Sequence, residues 1–313
     1  MFIVIKDPHF RFGMPRPVGR KESFEQEIDA KWDFVLEYAN KHNIKHIVFT
    51  GDVFDVKAPS KYDFNHIRAI KRRFRKATSQ GITISSTVGN HDLPMASIDN
   101  YEMSVFYDMV QDKYLQNLCE HPITIGEYNL VGVPYYRNQE DFHQAMSIVN
   151  ECEGNNLVVL HEHIIPDEAY EGHINFIKYS QMVKTYPNIK GFICGHLHRG
   201  FPTQEYKKKL FVNPWSFTRL ARNYYALNDE HTPMFTHIKD HLLYEDIIIP
   251  HSSFEEGFNA QEFDKAVELE MDLEGFKTSL DEFVTSGDTD LTKLGIPEEV
   301  RAKVEDYLAR ARG

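Results

Sequence analysis

The chain has 313 residues, of which 42% are hydrophobic and 26% are charged. This is an ordinary composition for a soluble globular protein that is large enough to stabilise its own core. The net charge is −12, but residues 252–313 hold 16 acidic and 7 basic side chains, a balance of −9, which leaves −3 for residues 1–251. The charge of the larger part is therefore compatible with a phosphate-bearing partner.

No stretch approaches the roughly 20 apolar residues of a membrane span, so we expect no membrane partner. The N-terminus has neither a charged leader nor a small-residue cleavage site. The three cysteines are widely spaced and fit reduced thiols better than a disulfide framework or a zinc site. These features predict a cytoplasmic protein.

The first strand-like run covers residues 2–6 and ends at Asp7-Pro8-His9. The loop from Phe10 to Lys21 follows and is rich in glycine, proline and cationic side chains. It is either a grip for a polyanion, to which Arg16 would belong, or a solvated surface loop. A capping-box pattern then opens an amphipathic helix, whose apolar face includes Trp32 as a core residue.

A second strand, residues 47–50, ends at Gly51-Asp52-Val53-Phe54-Asp55. The order strand, helix, strand predicts a parallel βαβ unit. We expect an amphipathic helix over Lys61–Ser79, with a basic outer face that either binds nucleic acid or is simply solvated. The β-branched run Ile82–Val88 predicts a buried strand that ends at Gly89-Asn90-His91-Asp92.

Residues 97–118 are expected to be helical, and residues 123–133 should form a hairpin around a Gly-Glu turn. A connection and a helix follow over residues 135–151. Residues 157–160 predict another buried strand, which leads directly into His161.

His161 and His163 alternate on an extended segment, so their side chains point to opposite sides and only one can enter a common site. We choose His161, because it directly follows the apolar run. Residues 191–194 predict a further buried strand, which ends at Gly195-His196-Leu197-His198.

Residues 210–212 and 242–249 are predicted to be strands of a second sheet, with the turn-rich loop Asn213–Arg219 between them. After the last strand the composition becomes acidic, and apolar periodicity predicts helices. We therefore divide the chain into a main domain, residues 1–251, and an acidic helical segment, residues 252–313.

Polar side chains follow five of these strands at the point where each strand ends, which is where open α/β sheets place their chemistry. Carboxylate, amide and imidazole ligands suit divalent ions such as Mn²⁺, Fe²⁺ or Zn²⁺. The candidates are Asp7, His9, Asp52, Asn90, His161, His196 and His198. Seven ligands are too many for one ion but suit two ions that share a carboxylate. His91 is then the natural general acid, because it neighbours a ligand without being needed as one.

The motifs around these residues resemble, in order, the five motifs of the calcineurin-like metallophosphoesterase superfamily. The resemblance implies an α/β fold in which a two-sheet β-sandwich is flanked by helices. It also implies that Asp55 orients His91, the acid, through a hydrogen bond from its carboxylate. The implied ligands of one ion are Asp7, His9, Asp52 and His198, and those of the other are Asp52, Asn90, His161 and His196.

The second and third motifs are similar to those of the SbcD-type nuclease subunit, the bacterial and phage counterpart of the Mre recombination nuclease. The loop Asn213–Arg219 resembles that family's Pro-Gly-Ser-x-x-Arg loop beside the DNA, although Trp215 replaces the glycine. This part of the resemblance makes Ser216 and Arg219 candidate substrate-binding residues.

The same resemblance implies exonuclease and endonuclease activity with Mn²⁺, or with Mg²⁺, Fe²⁺ or Zn²⁺, and a homodimer. It further implies a partner ATPase of the SbcC type with coiled-coil arms, and residues 252–313 are the expected partner-binding segment. Because this segment is too short for a cap domain as well, we expect a compact phage-like form, which would act in the host cytoplasm.

Three functions are compatible with these features. The first is a DNA nuclease subunit of an SbcCD-like repair, recombination or replication complex. The second is a phosphatase or small-nucleotide phosphodiesterase, since the metal motifs do not encode substrate size. The third is a non-catalytic protein-binding scaffold, which would have no reason to retain every ligand and His91. A DNA groove should need Arg219, Arg222 or the loop from Arg11 to Lys21, whereas a small-molecule enzyme would tolerate their loss.

Overall fold

The computed structural model describes residues 1–55, 64–169, 176–220 and 230–262, and these residues form two six-stranded sheets and a two-stranded ribbon. The strands in chain order are β1 (Phe2–Ile5), β2 (His46–Phe49), β3 (Thr83–Ser86), β4 (Gln116–Asn117), β5 (Ile123–Ile125), β6 (Tyr128–Val133), β7 (Asn156–His161), β8 (Ile164–Ile165), β9 (Ile177–Lys178), β10 (Gly191–Gly195), β11 (Phe201–Tyr206), β12 (Lys209–Asn213), β13 (Met234–Ile238) and β14 (Tyr244–Ile248). The helices are α1 (Phe24–Lys41), α2 (Phe64–Thr78), α3 (Val105–Gln111), α4 (Gln139–Glu151), α5 (Tyr179–Thr185) and α6 (Phe254–Gly257), with 3₁₀ turns at Pro94–Ala96, Ile98–Met103 and Asp240–Leu242.

The first sheet has the strand order β14-β13-β1-β2-β3-β4, and the second has the order β11-β12-β10-β7-β6-β5. Strands β1, β2 and β3 are parallel to one another, and so are β6, β7, β10 and β12. The predicted parallel βαβ unit is therefore confirmed. In each sheet the carboxyl ends of the central strands lie at one edge.

The two sheets pack against each other, and helices cover their outer faces. Strand β1 shows why its sequence is a continuous apolar run: Phe2 and Val4 pack with strands of the second sheet, whereas Ile3 and Ile5 pack beneath α1 and α2. Both faces of such a strand are buried, so alternation with polar residues is absent. Trp32 is buried in the outer layer, as expected. The predicted two-sheet α/β sandwich is confirmed.

A separate hydrophobic layer covers the outer face of the second sheet. It joins Phe142 and Met146 of α4 with Tyr179 and Met182 of α5. The predicted helix before residue 151 and the hairpin of β5 and β6 are both confirmed, and Gly126 supplies the positive φ of +62° at the hairpin turn.

Two predictions about the elements were wrong. Residues 97–118 form a 3₁₀ turn, α3 and the short strand β4 instead of one helix, because Ser104 has an extended backbone and its Oγ accepts from the N–H of Tyr107 as a new N-cap. Strand β14, within residues 242–249, belongs to the first sheet, because it forms a hairpin with β13, a strand that the sequence did not reveal.

Helix α2 confirms the described part of the helix expected over residues 61–79, of which residues 61–63 lie outside the described ranges. The helices expected in the acidic segment lie beyond residue 262 and are also outside them, so the division at residue 251 stays a prediction. All three cysteines are free thiols. Within the residues that the structure describes, no helix has both the length and the apolar character to span a bilayer.

Candidate metal centre

The predicted ligands meet between the carboxyl ends of the two sheets. Asp7 and His9 follow β1, Asp52 follows β2, and His161 is the last residue of β7, directly opposite Gly195 in the parallel ladder. Most of the predicted ligand side chains are buried, and only those after β10 are partly exposed. The structure therefore brings together side chains that are up to 191 positions apart in the sequence.

Glycine allows this convergence at two positions. A Cβ on Gly89 would collide with the backbone nitrogen and the carboxylate of Asp52, and a Cβ on Gly195 would lie 2.8 Å from His161 Nδ1. Only a residue without a side chain lets these backbones approach the ligands so closely. The glycines that precede Asn90 and His196 therefore have a steric function.

Four predicted ligands have an unusual backbone conformation. The φ angles of Asp7, His9, Asp52 and His196 are +43°, +44°, +47° and +80°. Left-handed conformations are uncommon for residues other than glycine and are typical of functional sites, where the surrounding structure maintains them. The fold thus keeps these four side chains in positions that relaxed strands would not give them.

Two groups of ligand atoms share Asp52. The first group is His9, Asp52 and His198, in which the two imidazole Nε2 atoms are 2.9 Å apart and His9 Nε2 is 3.5 Å from Asp52 Oδ2. The second group is Asp52, His161 and His196, in which His161 Nε2 is 3.3 Å from the same Oδ2 atom. A carboxylate common to both groups is the arrangement that a pair of bridged ions requires.

The two remaining predicted ligands, Asn90 and Asp7, both lie near His161. Asn90 Oδ1 lies 3.1 Å from His161 Nε2, and Asp7 Oδ1 lies 3.7 Å from His161 Nδ1. Among the described residues, the buried Asp7 Oδ2 has no hydrogen-bond partner. A buried carboxylate oxygen is costly without a compensating charge or donor, and a divalent cation supplies one. The donor set of carboxylates, amide and imidazoles therefore fits two divalent ions.

The charges of the protein itself are strongly coupled at this centre. Burial favours a higher pKa for Asp52, but attraction to His161 and His91 outweighs it and holds the pKa well below its usual range. Burial disfavours the charged form of His161, yet Asp52 and Asp7 raise its pKa to about 9. For Asp7 burial prevails and raises the pKa. The centre thus keeps a negative charge on Asp52, the shared ligand.

The tautomer of His161 follows from its hydrogen bonds. His161 Nδ1 lies 2.8 Å from the backbone carbonyl oxygen of Thr50. A carbonyl only accepts, so Nδ1 carries the hydrogen and Nε2, which faces Asp52 and Asn90, is the nitrogen available to a metal. Thr50 was not identified from the sequence, because a backbone carbonyl has no residue-type signal.

His91 lies beside the two groups, with its ring 4.9 Å from the ring of His9 in an edge-to-face arrangement. Its backbone N–H donates to Asp52 Oδ1 at 2.7 Å, and its Nδ1 donates to the carbonyl oxygen of Asp55 at 2.8 Å. We expected the Asp55 carboxylate to orient His91. Instead this carboxylate accepts a hydrogen bond from Arg11 at 2.6 Å, and the backbone of Asp55 takes the orienting role.

Three further residues support the centre without having been predicted. Asp92 joins two motif loops, because its carboxylate accepts from the N–H of Phe54 at 3.0 Å and of Gly89 at 2.8 Å. The buried Lys6 donates to the carbonyl oxygen of Arg199 at 2.9 Å. His163 stacks on His196, with ring centroids 4.0 Å apart. Asp92 was inside a recognised motif, whereas the roles of Lys6 and His163 depend on contacts between distant parts of the chain.

The loop of residues 213–219 is attached to the ligand loops. The N–H of Ser216 donates to the carbonyl of His198, the N–H of Phe217 donates to the carbonyl of Lys6, and the hydroxyl of Thr218 donates to the carbonyl of Pro8. The loop thus connects the segments that follow β1 and β10. Its role in the structure is to hold ligands in place.

The described residues predicted to contact DNA are either buried or paired with carboxylates of the protein. Ser216 and Arg219 are 0% and 1% exposed, and Arg219 donates to the carbonyl of Ser252 at 2.6 Å. Direct contacts of these two side chains with DNA were therefore a wrong prediction, because both are inside the protein. Arg16 is partly exposed but is paired with Glu22 and Glu262, each at 2.8 Å. The other predicted arginine, at position 222, lies outside the described ranges.

Comparison with known proteins gives one matching family and two similar proteins. The model of the calcineurin-like phosphoesterase family matches residues 2–200. The DNA double-strand break repair protein Mre11 of Sulfurisphaera tokodaii is 24% identical over 151 residues, covering 47% of this chain and 38% of that protein. The protein of the same name from Sulfolobus acidocaldarius is 23% identical over 180 residues, covering 56% and 45%.

The matched part of this chain spans less than half of the length of these two relatives. A solved crystal structure superimposes with a TM-score of 0.52 and 14% identity, covering 80% of this chain and 98% of the other. That likeness supports the fold.

Proposed function

The chain belongs to the calcineurin-like phosphoesterase family, and we propose that it is a two-metal nuclease that hydrolyses phosphodiester bonds of DNA. Family membership gives metal-dependent hydrolysis of phosphoesters. The observation that carries the proposal is the shared position of Asp52 in two groups of ligands with His91 beside them. The two relatives named as DNA double-strand break repair proteins favour DNA as the substrate.

The proposed ligands of the first ion are Asp7, His9, Asp52 and His198, and those of the second are Asp52, Asn90, His161 and His196. When bound, two such ions lower the pKa of a water molecule and neutralise charge on a phosphate. Oxygen and imidazole donors without thiolates suit Mn²⁺, Fe²⁺ and Zn²⁺. The resemblance to the SbcD-type nuclease makes Mn²⁺ the proposed ion, with Mg²⁺, Fe²⁺ and Zn²⁺ as the alternatives. The backbone carbonyl of Thr50 keeps His161 Nε2 directed at its carboxylate neighbour.

His91 is the proposed general acid. Because the Asp55 carbonyl fixes the hydrogen on Nδ1, the proton that His91 exchanges is the one on Nε2. Departure of an alkoxide from phosphorus requires such a proton at the leaving oxygen. The hydrogen bond from the His91 backbone to Asp52 keeps the acid at a fixed position relative to the shared ligand.

The proposed assembly is supported by the resemblance to SbcD-type nucleases and not by contacts in the structure. We propose that the chain forms a homodimer and works with an ATPase of the SbcC type, and that residues 252–313 bind this partner. The net charge of −9 on that segment favours a basic docking surface.

One observation favours the second candidate, a phosphodiesterase for small nucleotides. The three arginines of the loop from Phe10 to Lys21 are paired with carboxylates of the protein: Arg11 with Asp55, Arg16 with Glu22 and Glu262, and Arg20 with Glu27. Cations engaged in this way attract a DNA strand less strongly than unpaired ones.

The test compares hydrolysis of an end-labelled DNA duplex with hydrolysis of bis-p-nitrophenyl phosphate, in Mn²⁺, in Mg²⁺ and in EDTA. The wild-type protein should cleave both substrates in Mn²⁺ and neither in EDTA. His91→Asn should lose about 10²- to 10⁴-fold in turnover, the usual contribution of a general acid, while its metal content is unchanged. Cleavage of the small ester alone would favour the second candidate, unless adding an SbcC-type ATPase restored cleavage of the duplex. Loss of metal from His91→Asn would refute its role as acid.

A further inference from the structure

Helix α2 forms one wall of a groove with an excess of positive charge. The groove has a volume of about 440 Å³. Its lining includes five cations and one carboxylate, namely Arg68, Lys71, Arg72, Arg73, Arg75 and Glu25. A concave surface of one charge sign concentrates counter-ions of the opposite sign more strongly than a flat one does. This groove therefore differs from the ordinary solvated face of a basic helix.

The cations of the groove differ in their partners. Arg73 is buried and paired with Asp29 and Glu25, and Lys71 is paired with Asp112. Within the described part of the chain, neither Arg68 nor Arg72 has a carboxylate partner, and both side chains are exposed to solvent. These two guanidinium groups are therefore available to an anion from outside.

The spacing of the exposed arginines of the groove suits a chain of phosphates. Arg68, Arg72 and Arg75 occupy positions i, i+4 and i+7 and so lie along one side of the helix. At a rise of about 1.5 Å per residue, they extend over roughly 10 Å along the axis. A single phosphate would engage one or two of them, whereas a nucleic-acid strand presents a row of phosphates.

The groove is connected with the metal centre through one loop. Helix α2 begins on the carboxyl side of the parallel strands β2 and β3, where the metal centre lies. The loop from Phe10 to Lys21 lies between them: its Arg11 contacts Asp55 of the centre, and its Gly13 N–H donates to Glu25 of the groove at 2.9 Å. A strand in the groove would thus lie beside the site of cleavage.

We infer that the α2 groove binds the phosphate backbone of a nucleic-acid strand and directs it to the metal centre. This inference rests on the proposed nuclease function and adds a binding surface to it. Because backbone phosphates carry no sequence information, the binding is independent of base sequence. It also supplies the cationic surface that the buried Arg219 does not.

The test uses the double variant Arg68→Gln/Arg72→Gln and a matched control, Lys41→Gln/Lys45→Gln. The control makes the same change of net charge, but its two lysines lie near the amino end of β2, at the edge of the sheet opposite to the metal centre. Binding of a labelled duplex is measured in the His91→Asn background with Mn²⁺, over a range of salt concentrations. Hydrolysis of the duplex and of bis-p-nitrophenyl phosphate is measured with His91 intact.

The groove variant should bind the duplex about tenfold more weakly, and the slope of log Kd against log salt concentration should fall by about 0.9 for each phosphate that the variant no longer neutralises. Its hydrolysis of the small ester should equal that of the wild type, and the control should retain both activities. Equal weakening of both variants would overturn the inference, since net charge alone would then explain it, and so would an unchanged affinity of the groove variant. A wild type that cleaves the small ester but neither binds nor cleaves DNA would refute the proposed function itself.

Discussion

Replacing Glu27 with Gln should destabilise the protein and weaken its metal centre. Glu27 belongs to α1, its side chain is 6% exposed, and its carboxylate contacts Arg20 at 2.5 Å and Lys31 at 2.7 Å. Arg20 and Lys31 in turn donate hydrogen bonds to backbone carbonyls of the 213–219 loop, at 3.0 and 3.2 Å. Because this loop holds the ligand segments, the variant should also bind Mn²⁺ more weakly.

The magnitude follows from the charge of Glu27. Burial raises the pKa of its carboxylate, but attraction to Lys31 and Arg20 outweighs burial and lowers the pKa from 4.5 to about 2. At about 1.36 kcal/mol per pKa unit, this difference contributes about 3 kcal/mol to the free energy of unfolding near neutral pH. Removing one partner of a buried ion pair typically costs about 3–5 kcal/mol, which agrees. Burial lowers the pKa of Lys31 to about 8, so at pH 7 Lys31 is still mainly charged and would lose its partner.

The pH dependence gives a second check. Because the pKa of Glu27 in the folded protein is below its unfolded value, the stabilisation is complete above about pH 4.5 and is lost as the pH falls toward 2. Urea unfolding should separate wild type and Glu27→Gln by about 3 kcal/mol at pH 7, and by less below pH 4.5. Glu22→Gln, which removes a carboxylate that is 90% exposed, is the control and should leave stability unchanged. A difference below about 1 kcal/mol at pH 7, or one that does not change with pH, would refute the reasoning.

Three further predictions concern the centre and the acidic segment. Asp52→Ala should lose both ions in elemental analysis, and a retained content of two ions would rule out a bridging role. His163→Ala should lower kcat several-fold without changing KM. His163→Phe, which keeps the ring stack on His196, should have the kcat of the wild type. Equal kcat values for the two variants would exclude positioning by stacking. Deleting residues 263–313 should spare hydrolysis of bis-p-nitrophenyl phosphate and abolish co-purification with an SbcC-type ATPase, and a truncated protein that still binds the ATPase would contradict the assignment. The deletion starts at residue 263 because Ser252 and Phe258 contact the buried Arg219.

The positions of the ligands could be predicted because each one follows a recognisable buried strand. In a parallel sheet the carboxyl ends of strands lie at one edge, which brings Asp7 and Asp52 together in the first sheet. His161 ends a strand of the second sheet, and the packing of the two sheets brings it to the other two ligands. Alternation of side chains along a strand allowed only one of His161 and His163 to enter the site, and His161 was chosen because it directly follows the apolar run. The structure places His161 in the centre and His163 behind it, stacked on His196.

Other features could not be predicted, because they depend on which of several possible hydrogen-bond partners lies closest in the folded protein. The Asp55 carboxylate had two possible partners, and Arg11 takes it, which leaves the carbonyl of Asp55 for His91. A motif specifies residue types but not which oxygen accepts. Strand β14 was assigned to the wrong sheet for a related reason, since its partner β13 has no clear alternation in the sequence.

The burial of Arg219 changes how the protein can attract DNA. The resemblance to the SbcD-type loop implies an arginine beside the substrate at this position, but here Arg219 and Arg20 lie together under Phe258, where they hold the 213–219 loop and α6. Among the described residues near the centre, Arg11 is paired with Asp55, and Arg20 and Arg219 are buried. We therefore expect attraction of a polyanion to come from the ions of the centre and from a separate surface, and the exposed arginines of α2 offer such a surface.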